Sequence, residues 1–140
     1  MFGEFDHVGY LVRDLDVALA QAQEAFALPL ARTLDLPQFA ITGAFFGEGS
    51  GTLEIFTIAN EELLGPRLGA DQRRIDHVAF RVADLDSLAA TLRAAGARFS
   101  GPDRVGELSE PLELGGARHL WTLPPSTAGL AIQLIEPPAR

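Results

Sequence analysis

The chain opens on strict alternation. In Phe5-Asp6-His7-Val8-Gly9-Tyr10-Leu11-Val12, residues 5, 7, 9 and 11 fall on one face of a strand and residues 6, 8, 10 and 12 on the other. The pattern returns as Ile75-Asp76-His77-Val78-Ala79-Phe80-Arg81-Val82, and both copies run on into Asp-Leu-Asp, at Asp14-Leu15-Asp16 and Asp84-Leu85-Asp86. Helix-period stripes follow: Leu15, Leu19, Ala22 and Phe26 in one copy, Leu85, Leu88, Leu92 and Ala95 in the other. The spacing predicts helices from about Val17 to Phe26 and from about Ser87 to Ala95. Asp14 and Asp84 are suited to capping them, and Asp16 and Asp86 place negative charge at the helix N-termini. Gly96 stops the second helix and Pro29 limits the first.

Beyond each helix the period returns to two. Phe39 to Phe46 reads as a strand, Gly47-Glu48-Gly49-Ser50-Gly51 as a turn, and Thr52 to Ile58 as the next strand. In the second copy His119 to Leu123 and Leu130 to Ile135 play these parts, around the loop Pro124-Pro125-Ser126-Thr127-Ala128-Gly129. Weaker strands are predicted near Ala31 to Leu36 and Arg98 to Ser100. The stretch from Asn60 to Arg74, with Gly65-Pro66, reads as a connector of weak periodicity. Two stretches alike in order and spacing make the chain a tandem duplication of a βαβββ unit.

Composition narrows the chemistry. There is no cysteine, which removes disulfides, thiol nucleophiles and thiolate metal sites. A net charge of −8 argues against binding along a phosphate backbone, so no nucleic-acid partner is expected. All eleven basic residues are Arg, scattered in the manner of a solvated surface. One or two could still clamp an anionic group on a small substrate. The apolar runs are too short to cross a membrane, and Met1-Phe2-Gly3-Glu4-Phe5 does not read as a secretory signal, so the expected location is cytoplasmic.

Only three histidines occur, and His7 and His77 hold the same place in the two copies. A lone strand histidine is usually a packed or surface residue. A repeat-related pair is different, because a pseudo-twofold fold brings equivalent strands together, and imidazole is a common ligand of divalent metals. Glu54 within Thr52-Leu53-Glu54-Ile55-Phe56 and Gln133 within Ala131-Ile132-Gln133-Leu134-Ile135 are polar residues in apolar strands, costly to bury unless satisfied. Either alone would be read as facing water; the four together favour an inward-facing ligand set.

These strands, with the closing Leu123-Pro124-Pro125-Ser126-Thr127-Ala128-Gly129-Leu130-Ala131-Ile132-Gln133-Leu134, resemble the vicinal oxygen chelate superfamily. That superfamily includes glyoxalase I, extradiol dioxygenases, fosfomycin-resistance enzymes and methylmalonyl-CoA epimerase, and the resemblance is closest to the epimerase branch. It covers essentially the whole chain. It implies an α+β fold in which two βαβββ modules form a U-shaped mixed sheet around one cleft. Residues 1–140 would be a single domain, with module one at about 1–60, a connector at about 61–74 and module two at about 75–140. The metal ligands it implies are His7, Glu54, His77 and Gln133, holding one divalent ion (Co, Mn, Ni, Mg or Zn). Such an ion would act as a Lewis acid on vicinal oxygens and stabilise an enolate-like intermediate. The substrate would be a small molecule, with an acyl-CoA thioester as its class, and the assembly a homodimer.

The epimerase-like pattern has its glutamine in the first unit and its glutamate in the second, whereas here Glu54 comes first and Gln133 last. Gln133 cannot act as a base, and the Phe39-to-Phe46 stretch carries no carboxylate. Glu54 is therefore the candidate for ligand and base together. Glu48 reads as an exposed turn residue and Glu136 as a strand-end residue. His119 and Trp121 share a strand face and are candidates for substrate contact, packing being the simpler role for both. Tyr10 and Phe45 read as core or cleft wall. The leading function is a metal-dependent isomerase or epimerase that enolises a substrate α to a carbonyl. The alternatives are a glyoxalase-like lyase or isomerase on another oxygen-chelating metabolite, an iron dioxygenase using His7, His77 and Glu54, and a metal-free binding module.

Overall fold

The computed structural model describes residues 2–49 and 51–140. Contacts gather the chain into two compact units: His7–Asp76, and the N-terminal stretch through Asp6 together with His77–Arg140. Strands β1 (Phe2–Val12) and β5 (Arg73–Val82) pass from one unit into the other, each changing unit just before its histidine.

In the unit His7–Asp76, α1 (Leu15–Ala20) starts where the Asp14 carboxylate accepts from the Val17 amide at 3.1 Å. It widens into a π-helical turn over Gln21–Ala25. Three strands follow, β2 (Leu30–Leu36), β3 (Ile41–Phe46) and β4 (Thr52–Ile58), with β3 antiparallel to both neighbours and β4 parallel to β1. Strand β3 starts at Ile41 instead of Phe39, because Pro37–Phe39 forms a 3-10 turn that Ala40 ends at φ +54°. Gly43 faces Phe56 across β3 and β4, and a Cβ there would stand 2.2 Å from the Ile55 carbonyl oxygen, so only glycine lets these strands pair. Ser50, in the predicted turn, lies outside the described residues.

The predicted connector contains a helix, α2 (Glu61–Leu68). Asn60 caps it by accepting from the Glu62 amide at 3.1 Å. Pro66 lies inside it, an arrangement that costs about 3 kcal/mol in a helix interior. Leu64 and Leu68, one turn apart, offset that cost by burying against Leu11, Ile41, Phe56 and Ile58. Tertiary packing thus makes a helix where local periodicity is weak.

In the other unit, α3 (Leu85–Ala94) is capped by Asp84, which accepts from the Ser87 amide at 3.0 Å. It is followed by β6 (Phe99–Ser100), β7 (Leu112–Leu114), β8 (Ala117–Thr122) and β9 (Ile132–Glu136). Strand β9 runs parallel to β5, while β8 is antiparallel to β6, β7 and β9. Strand β7 was not expected; Gly115 and Gly116, at φ +58° and +82°, join it to β8 as a two-residue hairpin turn. The core here is Val82, Leu85, Leu88, Ala89, Phe99, Leu120 and Leu134.

The architecture is thus the expected one of tandem βαβββ-like modules in mixed sheet, with parallel pairs β1/β4 and β5/β9 in equivalent places. One stripe differs from expectation: Phe26 is exposed, because the π-helical turn rotates the end of the first helix away from the core. Among the described residues no helix is long and apolar enough to cross a membrane.

Candidate metal centre

The parallel register of β1 and β4 sets Gly9 beside Glu54. His7 and Glu54 are both buried, with Nε2 and Oε1 3.7 Å apart. The cross-strand neighbour of Glu54 is Phe45, whose ring meets the His7 imidazole edge to face at 5.1 Å. The Arg32 guanidinium lies over the same Phe45 ring, 3.7 Å from its centroid. Phe45, read as core or cleft wall, is therefore a positioning residue for the histidine. Arg32 had no signal in the sequence beyond its charge.

His7, Glu54 and His77 are three buried residues whose ligand-capable atoms lie within 4.8 Å of one another. Two imidazoles and one carboxylate, withdrawn from water, fit a divalent cation of the borderline first-row type. Burial of the Glu54 carboxylate is costly by itself, and a divalent cation held between it and the two imidazoles would offset part of its desolvation.

The residue before each histidine is an aspartate on the other strand face, and each is held by an arginine. Asp76 is buried and takes a two-point ion pair from Arg67, at 2.6 Å to Oδ2 and 3.2 Å to Oδ1. Asp6 accepts from Arg81 Nε at 2.8 Å in a more open setting. These pairs anchor the strand backbone at both histidines. Arg67 departs from the scattered, solvated arginines that the sequence suggests, since its side chain is only 9% exposed.

In the other unit, β5 and β9 set Ala79 beside Gln133, the equivalent of Gly9 beside Glu54. Gln133 is buried, and its Nε2 lies 3.1 Å from His119 Nδ1. With the amide nitrogen donating, Nδ1 accepts, and Oε1 is the amide oxygen left to serve as a ligand. The His119 ring stacks on Trp121 at 5.5 Å and 14°, and Trp121 is the cross-strand partner of Gln133. The candidate substrate-contact residues thus form one layer with the glutamine. Glu48 is exposed, and Glu136 ends β9 in an ion pair with Arg118 at 2.7 Å, in keeping with their expected minor parts.

A model of the Glyoxalase/Bleomycin resistance protein/Dioxygenase superfamily matches residues 6–110. No curated protein matches the sequence. Solved structures do. Methylmalonyl-CoA epimerase from Mycobacterium tuberculosis is 23% identical, with 99% of this chain and 90% of that one covered at a TM-score of 0.81. A Streptomyces coelicolor methylmalonyl-CoA epimerase in complex with 2-nitronate-propionyl-CoA is 21% identical, covering 99% and 100% at 0.82. A selenomethionine form of methylmalonyl-CoA epimerase is 26% identical, covering 99% and 98% at 0.80.

Proposed function

Because the chain belongs to the Glyoxalase/Bleomycin resistance protein/Dioxygenase superfamily, we propose that it is a metal-dependent isomerase or epimerase that enolises a substrate α to a carbonyl, with an acyl-CoA thioester as the substrate class. The observation that carries this reading is the buried group of His7, Glu54 and His77. Similarity in fold to methylmalonyl-CoA epimerases supports the choice of thioester.

In this reading Gln133 joins the three donors through Oε1, and the two units act as one domain around one divalent ion, drawn from Co, Mn, Ni, Mg and Zn. When bound, the ion supplies Lewis-acid polarisation of the substrate's carbonyl oxygen. The residues do the rest. His7 is held edge-on by Phe45, so it presents one ring nitrogen in a fixed direction. Glu54 is the carboxylate of the set, and it accepts the α-proton at a carboxylate oxygen to leave a planar enolate, which becomes the other epimer when a proton returns to its opposite face. Gln133 is held by His119, and His119 with Trp121 offers a flat surface to the substrate. One anionic ligand leaves the loaded site positive, which favours the developing oxyanion. The protein is expected to be a homodimer in the cytoplasm.

The test is exchange of the α-proton of methylmalonyl-CoA for solvent deuterium, followed by NMR in the presence of each metal. Exchange with at least one metal, lost in His77→Ala, is the expected result. Absence of exchange with all five metals overturns the proposal.

A further inference from the structure

The two copies of the duplicated unit fill the outer side of their first strand differently. On β5 the side opposite His77 is closed by α3: Leu88 is buried beside Val82 and Leu85, and Leu92 packs against them. At the offset that relates Asp14 to Asp84, the residues standing for Leu88 and Leu92 are Ala18 and Ala22. Two leucines in one copy are two alanines in the other. The first helix also turns π-helical at Gln21, a form that recurs at functional sites.

Ala18 and Ala22 line an open cavity of about 880 Å³ within the unit His7–Asp76. Its floor is Val8, Tyr10, Val12, Leu53 and Ile55, its wall is Ala18 and Ala22, and Phe26, Val17 and Ile75 stand at its mouth. These last three are 68%, 64% and 63% exposed, an unusual display of large apolar groups around one opening. Val8, Tyr10 and Val12 alternate with His7, Gly9 and Leu11 along β1, so the cavity lies on the opposite strand face from His7. It is a different site from the metal centre. Its size falls in the range of small-molecule pockets, roughly 300–1,000 Å³.

The charges at the rim choose the head group. Asp14 lines the cavity, but its carboxylate is already engaged in capping α1. Arg73 is the one basic residue of the lining and is exposed. We propose that this cavity is a second ligand site, which takes an amphiphile with an aliphatic body and a carboxylate head. The body lies against Val8, Val12, Leu53 and Ile55, and the carboxylate meets the Arg73 guanidinium.

The probes are decanoate and its neutral counterpart decanol, titrated by calorimetry into the full chain below their aggregation concentrations. The protein is expected to bind one decanoate per chain, about tenfold tighter than decanol. Arg73→Gln brings the two affinities together by weakening decanoate alone. The double substitution Ala18→Leu and Ala22→Leu, which copies the filled repeat, abolishes binding of both while cooperative unfolding is retained. Absence of decanoate binding overturns the proposal, as does undiminished binding in the leucine variant. A wild-type dimer that the leucine variant dissolves, with no decanoate bound by either, assigns the face to a second copy and also overturns it. Should the leucine variant not fold, Arg73→Gln decides: unchanged decanoate affinity is fatal to the assignment.

Discussion

Glu54 and Gln133 occupy equivalent places, each on the strand that runs parallel to a histidine-bearing strand, yet their surroundings differ. Glu54 looks across 3.7 Å at His7, a neighbour that an edge-on Phe45 holds still. Gln133 spends its amide nitrogen on His119, which is stacked on Trp121. One copy therefore offers a carboxylate oxygen beside an imidazole. The other offers a neutral oxygen whose direction is set by a hydrogen bond. The lesson is that duplication supplies two equivalent buried polar positions, and divergence at one atom gives each its own neighbours.

The largest effects are expected at the donors. His7→Ala and His77→Ala should each lower divalent-metal affinity by more than the roughly 100-fold ceiling for loss of an outer-shell partner, read by calorimetry. Equal retention of affinity in both variants contradicts the assignment. Glu54→Gln makes the two copies alike in side chain. It should abolish α-proton exchange and weaken the metal, whereas Gln133→Glu should strengthen metal binding and leave exchange measurable. If Gln133→Glu and Glu54→Gln had the same effect, the asymmetry would carry no meaning.

The arginine anchors give a second, smaller contrast. Arg67→Ala leaves the Asp76 carboxylate buried without its two-point partner and should cost about 3–5 kcal/mol in chemical denaturation. Arg81→Ala opens a pair in which the arginine is 49% exposed, and should cost about 0–1 kcal/mol. Comparable losses would mean that the two Asp-His-Val strands are held in the same way.

The smallest effect concerns acid. Arg118 hydrogen-bonds the exposed Asp86 at 2.7 Å and holds its carboxyl below the ordinary 3.8. A depressed folded-state pKa contributes stability above the unfolded value and loses it as pH falls through the lower folded value. Arg118→Met should therefore soften the acid limb of a stability profile only below about pH 4. An effect near neutral pH would point elsewhere.

Much of this was readable along the chain because the repeat writes each signal twice. Asp14 and Asp84 are caps by residue type and spacing, and both make the bond expected of them. The histidines and Glu54 stood out because polar residues in apolar strands demand a reason. What stayed hidden depends on packing at a distance. Helix α2 exists because Leu64 and Leu68 find a core, in spite of Gly65-Pro66. The burial of Arg67 depends on where Asp76 lies in the folded unit, which spacing alone cannot tell. Phe26 falls on a helix-period stripe by spacing, but the π-helical turn breaks the period of 3.6 before it. The short strand β7 did carry a signal, Gly115-Gly116 between Leu114 and Ala117, which a search for hairpin turns would find.

The most direct test of the metal centre is anomalous diffraction from crystals soaked in a manganese or zinc salt. One strong peak per chain is predicted, within about 2.0–2.3 Å of a nitrogen of His7, a nitrogen of His77, a carboxylate oxygen of Glu54 and the amide oxygen of Gln133. A peak that excludes Glu54 or Gln133, or crystals that take up no ion at these residues, contradicts the account.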